Sequence, residues 1–302
     1  LYRIPYHCPK LDENFKIVKE DYYAENGGII FPNPNAPTAI YEDLEFVEDI
    51  LKQNRNSIVI VDEAYIDFAG RSAMELIDKY DNLIVTQTFS KARSMAGMRI
   101  GYAISNPDLI RCLNDVKYSF NSYTMNQTAL ACGVEAVEDK AYFEEGVRKI
   151  VETREWAKEE LRKLGFVFPD AKANFIFARH PEVDANELFQ ALKENNIFVR
   201  HWNAPRISDY LRITIGTDDQ MDELIAVLRD YLVQMLMPYR QGRAIHGVLG
   251  EAQAIFNCVF LLDESSVPEH KEINPCSGLY TQLSGVQRVF LYCIKQLNVG
   301  KP

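Results

Sequence analysis

"GIIFPNPNAPTAIYEDLEFVEDILKQNRNSIVIVDEAY", residues 28–65, decides the fold class of this chain. It opens and closes on short, β-branched, almost wholly apolar runs, 28–31 and 57–61, the composition of strands covered on both faces of a parallel sheet. Between them, residues 41–54 set Leu44, Val47, Ile50 and Leu51 on one helical stripe. Strand, helix, strand is α/β construction. A further run, "LIVTQ" at 83–87, continues the pattern after a shorter helical stretch at 73–80.

Downstream of "MRIGYAI", Asn106 and Pro107 mark a helix start that "DLIRCLNDVKY" continues. From Met125 to Leu164 a helical period runs over many turns, which suits a spine between two domains. Residues 171–234 then change character. "KANFIFAR", "IFVRHW" and "YLRITIG" read as strands, and "DANELFQALKENN" and "TDDQMDELIAVLRDYL" as helices capped by Asp184 and by Thr217 or Asp218. The predicted organisation is a mostly parallel three-layer α/β domain over residues 1–124 and, over 125–234, an interdomain helix with a smaller α+β domain. A C-terminal tail, 235–302, carries no motif. Its two apolar patches flank the polar break "DESSVPEHKEINPCSG" and fit an appended domain, a dimerisation tail or read-through sequence.

The chain has 302 residues, 47% hydrophobic and 25% charged, enough for a sizeable core. Its formal charge of -10 disfavours nucleic acid or an anionic membrane surface as the main partner. The sequence has no apolar run of about eighteen residues, and the opening "LYRIPYHCPK" lacks signal or transit features, so a cytoplasmic location is expected. The six cysteines, at 8, 112, 132, 258, 276 and 293, form no CxxC pair. They are expected to be reduced and buried, with no metal site among them.

The chemistry concentrates in "TFSKARSMAGMRIGY", residues 88–102. A lone lysine is usually a solvated cation. At the carboxyl edge of a parallel sheet, where α/β proteins bind ligands, a desolvated Lys91 can instead form a Schiff base. Thr88, Ser90 and Arg99 together supply the donors and charge that a phosphate monoester needs. A lysine beside a phosphate cup points to pyridoxal phosphate (PLP). That cofactor also needs a carboxylate on its pyridine nitrogen, and Asp62 stands where the strand "SIVIV" runs out. The Tyr65 phenol and an asparagine of "NPNAPT", Asn33 or Asn35, are placed to hydrogen-bond the ring hydroxyl.

"NPNAPT", "DEAYIDF", "TFSKARSMAGMRIGY" and "YLRITIGT", in this order and spacing, resemble the fold-type I PLP-dependent aminotransferases, most closely the histidinol-phosphate aminotransferases, over about residues 1–234. The resemblance implies transamination between histidinol phosphate and 2-oxoglutarate by a homodimer. Lys91 would be the Schiff-base lysine and proton shuttle, Asp62 the partner of the pyridine nitrogen and Tyr65 that of the ring hydroxyl. Thr88, Ser90 and Arg99 would hold the cofactor phosphate. It further implies Arg212 for the α-carboxylate of the amino acid, Arg200 for the phosphate of the substrate, and Asn174 at a neighbouring position.

The chain departs from the family pattern in two places. Ala36 and Ala39 occupy turn positions where many relatives carry asparagine and glycine, which suggests Asn35 for the ring contact, with Asn33 as the alternative, and strains Ala39 if its φ is positive. The N-terminal arm, the first strands, a phosphate-binding glycine turn and a ring-stacking aromatic of the family have no counterpart here. Two other readings follow: a different PLP enzyme for phosphorylated substrates, such as a threonine-phosphate decarboxylase, or an inactive chain serving as an interaction partner.

Overall fold

The structure, a computed structural model, describes residues 4–243. Beyond Arg243 the expectations for the tail fall outside the described residues. The β-α-β reading becomes a four-stranded sheet in the spatial order β1 (Ile29–Pro32), β2 (Val59–Asp62), β3 (Leu83–Thr88), β4 (Gly101–Ile104). The first three are parallel, with Ile29 level with Val59 and Val59 with Leu83, and β4 returns antiparallel with Gly101 opposite Thr88.

Successive strand residues point to opposite faces, and in the three parallel strands both faces are covered, whereas Gly101 and Tyr102 of β4 are exposed. Phe31, Val59, Val61, Leu83 and Val85 pack with α1 (Leu44–Gln53), whereas Ile60 and Ile84 meet Leu109 and Leu113 of α2 (Pro107–Phe120). Strands sandwiched in this way have no solvent face, which is why they carry no polar alternation. Helix α1 begins where the Asp43 carboxylate accepts the Phe46 N–H at 2.9 Å. Its stripe of Leu44, Val47, Ile50 and Leu51 is buried as expected, each side chain stabilising by about 1.5–3 kcal/mol.

Two helical expectations change in detail. Residues 73–80 form only a 3₁₀ turn, Ala73–Leu76, started by Ser72 Oγ accepting the Met74 N–H. A segment this short closes too few hydrogen bonds to offset helix nucleation. The long period from Met125 splits at Asp139 into α3 (Gln127–Glu138) and α4 (Lys140–Lys163). The Asp139 carboxylate accepts the Tyr142 N–H at 3.0 Å and so competes with the continuing helix for that donor.

Helix α4 ends in a paired-bond cap in which the Gly165 N–H donates to Arg162 O and the Phe166 N–H to Leu161 O, both at 3.0 Å. Gly165 has φ 88, and a Cβ there would stand 3.0 Å from His180 Nε2. Gly165→Ala is therefore expected to destabilise the chain by at least about 1–2 kcal/mol. A urea titration with an unchanged midpoint would contradict this.

A second sheet has the order β5 (Phe175–Ala178), β7 (Leu211–Thr214), β6 (Arg200–His201), with both pairings antiparallel. Asp184 caps α5 (Ala185–Glu194) by accepting the N–H groups of Asn186 and Glu187. Helix α6 (Asp218–Arg243) opens on a reciprocal box, Gln220 N–H to Thr217 Oγ1 at 3.4 Å and Thr217 N–H to Gln220 Oε1 at 3.0 Å. Packing divides the described chain into two compact units. One runs to Arg148 and includes Asp170–Ala173; the other comprises Lys149–Pro169 and the described chain from Asn174 onward. Cys8, Cys112 and Cys132 form no disulfide and are half-buried rather than fully buried as expected. No helix among the described residues is long and apolar enough to cross a membrane.

Candidate active site

The parallel register puts Pro32 level with Asp62 and Asp62 level with Thr86, so the segments after β1, β2 and β3 leave the sheet at one carboxyl edge. Asp62 is half-buried and its Oδ1 accepts the Ala64 N–H at 3.2 Å. Tyr65 follows, only 6% exposed, and Lys91 Nζ stands 5.1 Å from the centre of its ring. The fold thus joins a lysine and a phenol that are far apart in sequence.

Local bonds on both sides position Lys91. Upstream, Thr88 Oγ1 contacts Ser90 Oγ at 2.9 Å, accepts the Ser90 N–H at 3.1 Å and lies 3.2 Å from Ile100 O. Downstream, the Ser94 N–H donates to Lys91 O and the Met95 N–H to Phe89 O. Arg93 donates to Ala136 O, and its guanidinium lies 4.0 Å from the Phe143 ring and 5.3 Å from the Phe89 ring. Thr88 and Ser90 are therefore a contact pair. Arg99 is exposed, has φ 58, and donates to Ala96 O at 2.8 Å.

The two asparagines of the first turn differ. Asn33 is buried, and its carboxamide both donates to Glu42 O and accepts the Glu42 N–H, each at 2.8 Å. Asn35 donates from Nδ2 to Thr38 Oγ1 at 2.8 Å. Ala39 is fully buried with φ 61, a left-handed conformation that costs a Cβ-bearing residue about 1–2 kcal/mol.

Sequence reasoning passed over Glu63, which follows Asp62 in "VDEAY" and resembles any strand-end acid. It is 1% exposed and collects three donors: Ser72 Oγ at 2.5 Å, the Ala73 N–H at 2.6 Å and Gln87 Nε2 at 2.9 Å. Gln87 Oε1 in turn accepts the Tyr102 hydroxyl at 2.6 Å, which extends the network across β3 to β4. Burial pushes the Glu63 carboxyl above its ordinary pKa, with the Ser72, Ala73 and Gln87 donors opposing. A carboxyl raised on folding contributes stability that is present below its unfolded pKa and lost as pH rises through the folded value. Stability relative to Glu63→Gln should therefore fall as pH rises from about 4.5, a difference measurable by urea denaturation. A constant or growing difference would refute that assignment.

The remaining predicted residues belong to the second compact unit. Asn174 O accepts the Ile215 N–H at 2.9 Å, a backbone pairing at the start of β5. Arg212 lies directly opposite Phe177 on one side and Arg200 on the other, so Phe177, Arg212 and Arg200 form a row across one sheet face. Trp202, two residues after Arg200, shares that face by strand alternation. Its ring centre is 5.5 Å from the Arg200 guanidinium and 5.4 Å from that of Arg212. Arg212 also lies 5.1 Å from the Phe175 ring, with its Nε and Nη1 buried. Trp202 was legible only as the period-two neighbour of Arg200 in "RHW".

Residues 2–228 match the family described as Aminotransferase class I and II. A histidinol-phosphate aminotransferase from Lactococcus lactis subsp. lactis strain IL1403 is 52% identical over 232 residues, 77% of this chain and 64% of that protein. The chain therefore spans less than two thirds of that relative's length. Among solved structures, the histidinol-phosphate aminotransferase from Clostridium acetobutylicum aligns with TM-score 0.68 and 27% identity, covering 74% of this chain and 70% of that one. The Sinorhizobium meliloti enzyme of the same name, solved in complex with pyridoxal-5'-phosphate, aligns with TM-score 0.61 and 26% identity, covering 68% of this chain and 58% of that one.

Proposed function

The chain belongs to the class I and II aminotransferase family, and from that premise we propose that it carries the lysine-bearing part of a PLP-dependent enzyme moving an amino group from histidinol phosphate to 2-oxoglutarate. The observation that carries this reading is the Lys91 amine, 5.1 Å from the Tyr65 ring centre, at the sheet edge where Asp62 closes β2. An amine, a carboxylate, a phenol and a hydroxyl pair are the donor set that an aldehyde-bearing, protonatable pyridine phosphate requires. When bound, that cofactor supplies an electron sink for a carbanion at the substrate carbon that bears the amine.

The roles of the chain's own groups follow from their chemistry. Lys91 Nζ holds the cofactor, and once displaced it takes the proton from the amine-bearing carbon. The negative charge of Asp62 keeps the pyridine nitrogen protonated. Tyr65 donates to the ring hydroxyl together with Asn35, which is half-buried and keeps a second amide hydrogen after its bond to Thr38, whereas Asn33 is buried with both its carboxamide oxygen and one amide hydrogen bonded to Glu42. Thr88, Ser90 and Arg99 serve the cofactor phosphate. Arg212 takes a carboxylate and Arg200 the substrate phosphate, in the planar, forked manner open to guanidinium; Asn174 flanks them.

Titration of the purified chain with pyridoxal phosphate tests the proposal. A visible absorbance band should grow, bleach on addition of histidinol phosphate and return with 2-oxoglutarate. Turnover of threonine phosphate with release of carbon dioxide, and none of histidinol phosphate, would replace this reading with a decarboxylase.

A further inference from the structure

The face of the small sheet that bears the arginines is chemically unlike its reverse. On the reverse, Ile176, Leu211 and Ile213 are buried, and His201 lies 5.7 Å from Phe189 of α5. On the other face two arginines stand directly opposite each other on an antiparallel pair, an arrangement in which like charges repel. Aromatic rings surround them. Trp202 meets Phe177 edge-on at 6.5 Å, and Phe177 stacks on Tyr210 at 4.4 Å. Trp202 connects the charges, since both guanidinium groups lie within 5.5 Å of its ring centre. Indole is the most attractive aromatic face for a cation, and attraction of both groups to it offsets their repulsion.

We propose that Trp202 is a positioning residue for both arginines: its ring keeps the Arg200 and Arg212 guanidinium groups side by side, aimed at one ligand with two anionic groups, such as a carboxylate and a phosphate. This rests on the reading of those arginines as the anion-binding pair. Trp202 touches no reacting atom. It acts by limiting the orientations in which the two cations wait, so that less ordering is needed when the anion arrives.

Calorimetric titration of the full chain with O-phosphoserine, which carries both anionic groups, tests the inference. Trp202→Leu should weaken binding by about twofold to thirtyfold at a temperature where the variant remains folded, and Trp202→Phe should restore most of it. Arg200→Gln and Arg212→Gln should each weaken it. If the arginine variants lose binding and Trp202→Leu does not, the role of Trp202 is refuted while the arginine reading stands. If the arginine variants bind like the parent, or the parent binds nothing, the arginine reading fails and the inference with it. Should Trp202→Leu melt early, fluorescence decides, because Trp156→Phe leaves Trp202 as the sole tryptophan of the two in the chain. Unchanged emission on saturation with O-phosphoserine would then overturn the proposal.

Discussion

Replacing Lys91 with alanine is expected to abolish the visible absorbance of the chain mixed with pyridoxal phosphate and to lower turnover by at least about 10²–10⁴-fold. The substitution removes both the amine that holds the cofactor and the base that moves the proton. The fold should survive. The attraction of Lys91 Nζ to the Tyr65 ring, 5.1 Å away, disappears with the side chain and stabilises by only about 0.5–1 kcal/mol. The loop keeps its backbone bonds from Ser94 to Lys91 and from Met95 to Phe89. A melting temperature near the parent's, with the band gone, would locate the chemistry at this amine. A band that persists in Lys91→Ala would place the covalent link on another lysine and remove the central element of the proposed mechanism.

The second large effect is expected from Asp62→Asn. Asparagine keeps an oxygen to accept the Ala64 N–H, so the turn after β2 can retain its geometry. The negative charge is lost. Opposite unit charges about 4 Å apart at an effective dielectric near 20 attract by about 4 kcal/mol, so turnover should fall on the order of 10³-fold. The loss should appear mainly in kcat, since the charge matters most when electrons flow toward the ring. Turnover within tenfold of the parent, or a loss matched by lower thermal stability, would take Asp62 out of the ring-nitrogen role.

Legibility followed the range of the interactions involved. The stripe Leu44, Val47, Ile50, Leu51 was readable because a helix repeats its own geometry, and the four residues are buried together. Asp184 was readable as a cap because its partners are two and three residues away. The break at Asp139 was harder to see, since apolar periodicity continues across it and only the side-chain bond to Tyr142 marks it. The choice between Asn33 and Asn35 was open in the sequence for a similar reason. Both asparagines lie in one turn, and the bonds between the Asn33 carboxamide and the Glu42 backbone, nine residues on, form only on folding.

By itself, the sequence determined the α/β class, the strand-helix rhythm and the types of group at each strand end, because these depend on near neighbours and on the period of apolar residues. Only the tertiary structure decided which of those groups meet. It placed Lys91 over the Tyr65 ring, surrounded Glu63 with three donors from two other segments, and set Arg200 opposite Arg212 with Trp202 against both. Each of these depends on strand register and packing between residues distant along the chain, and a short-range pattern does not encode such pairings.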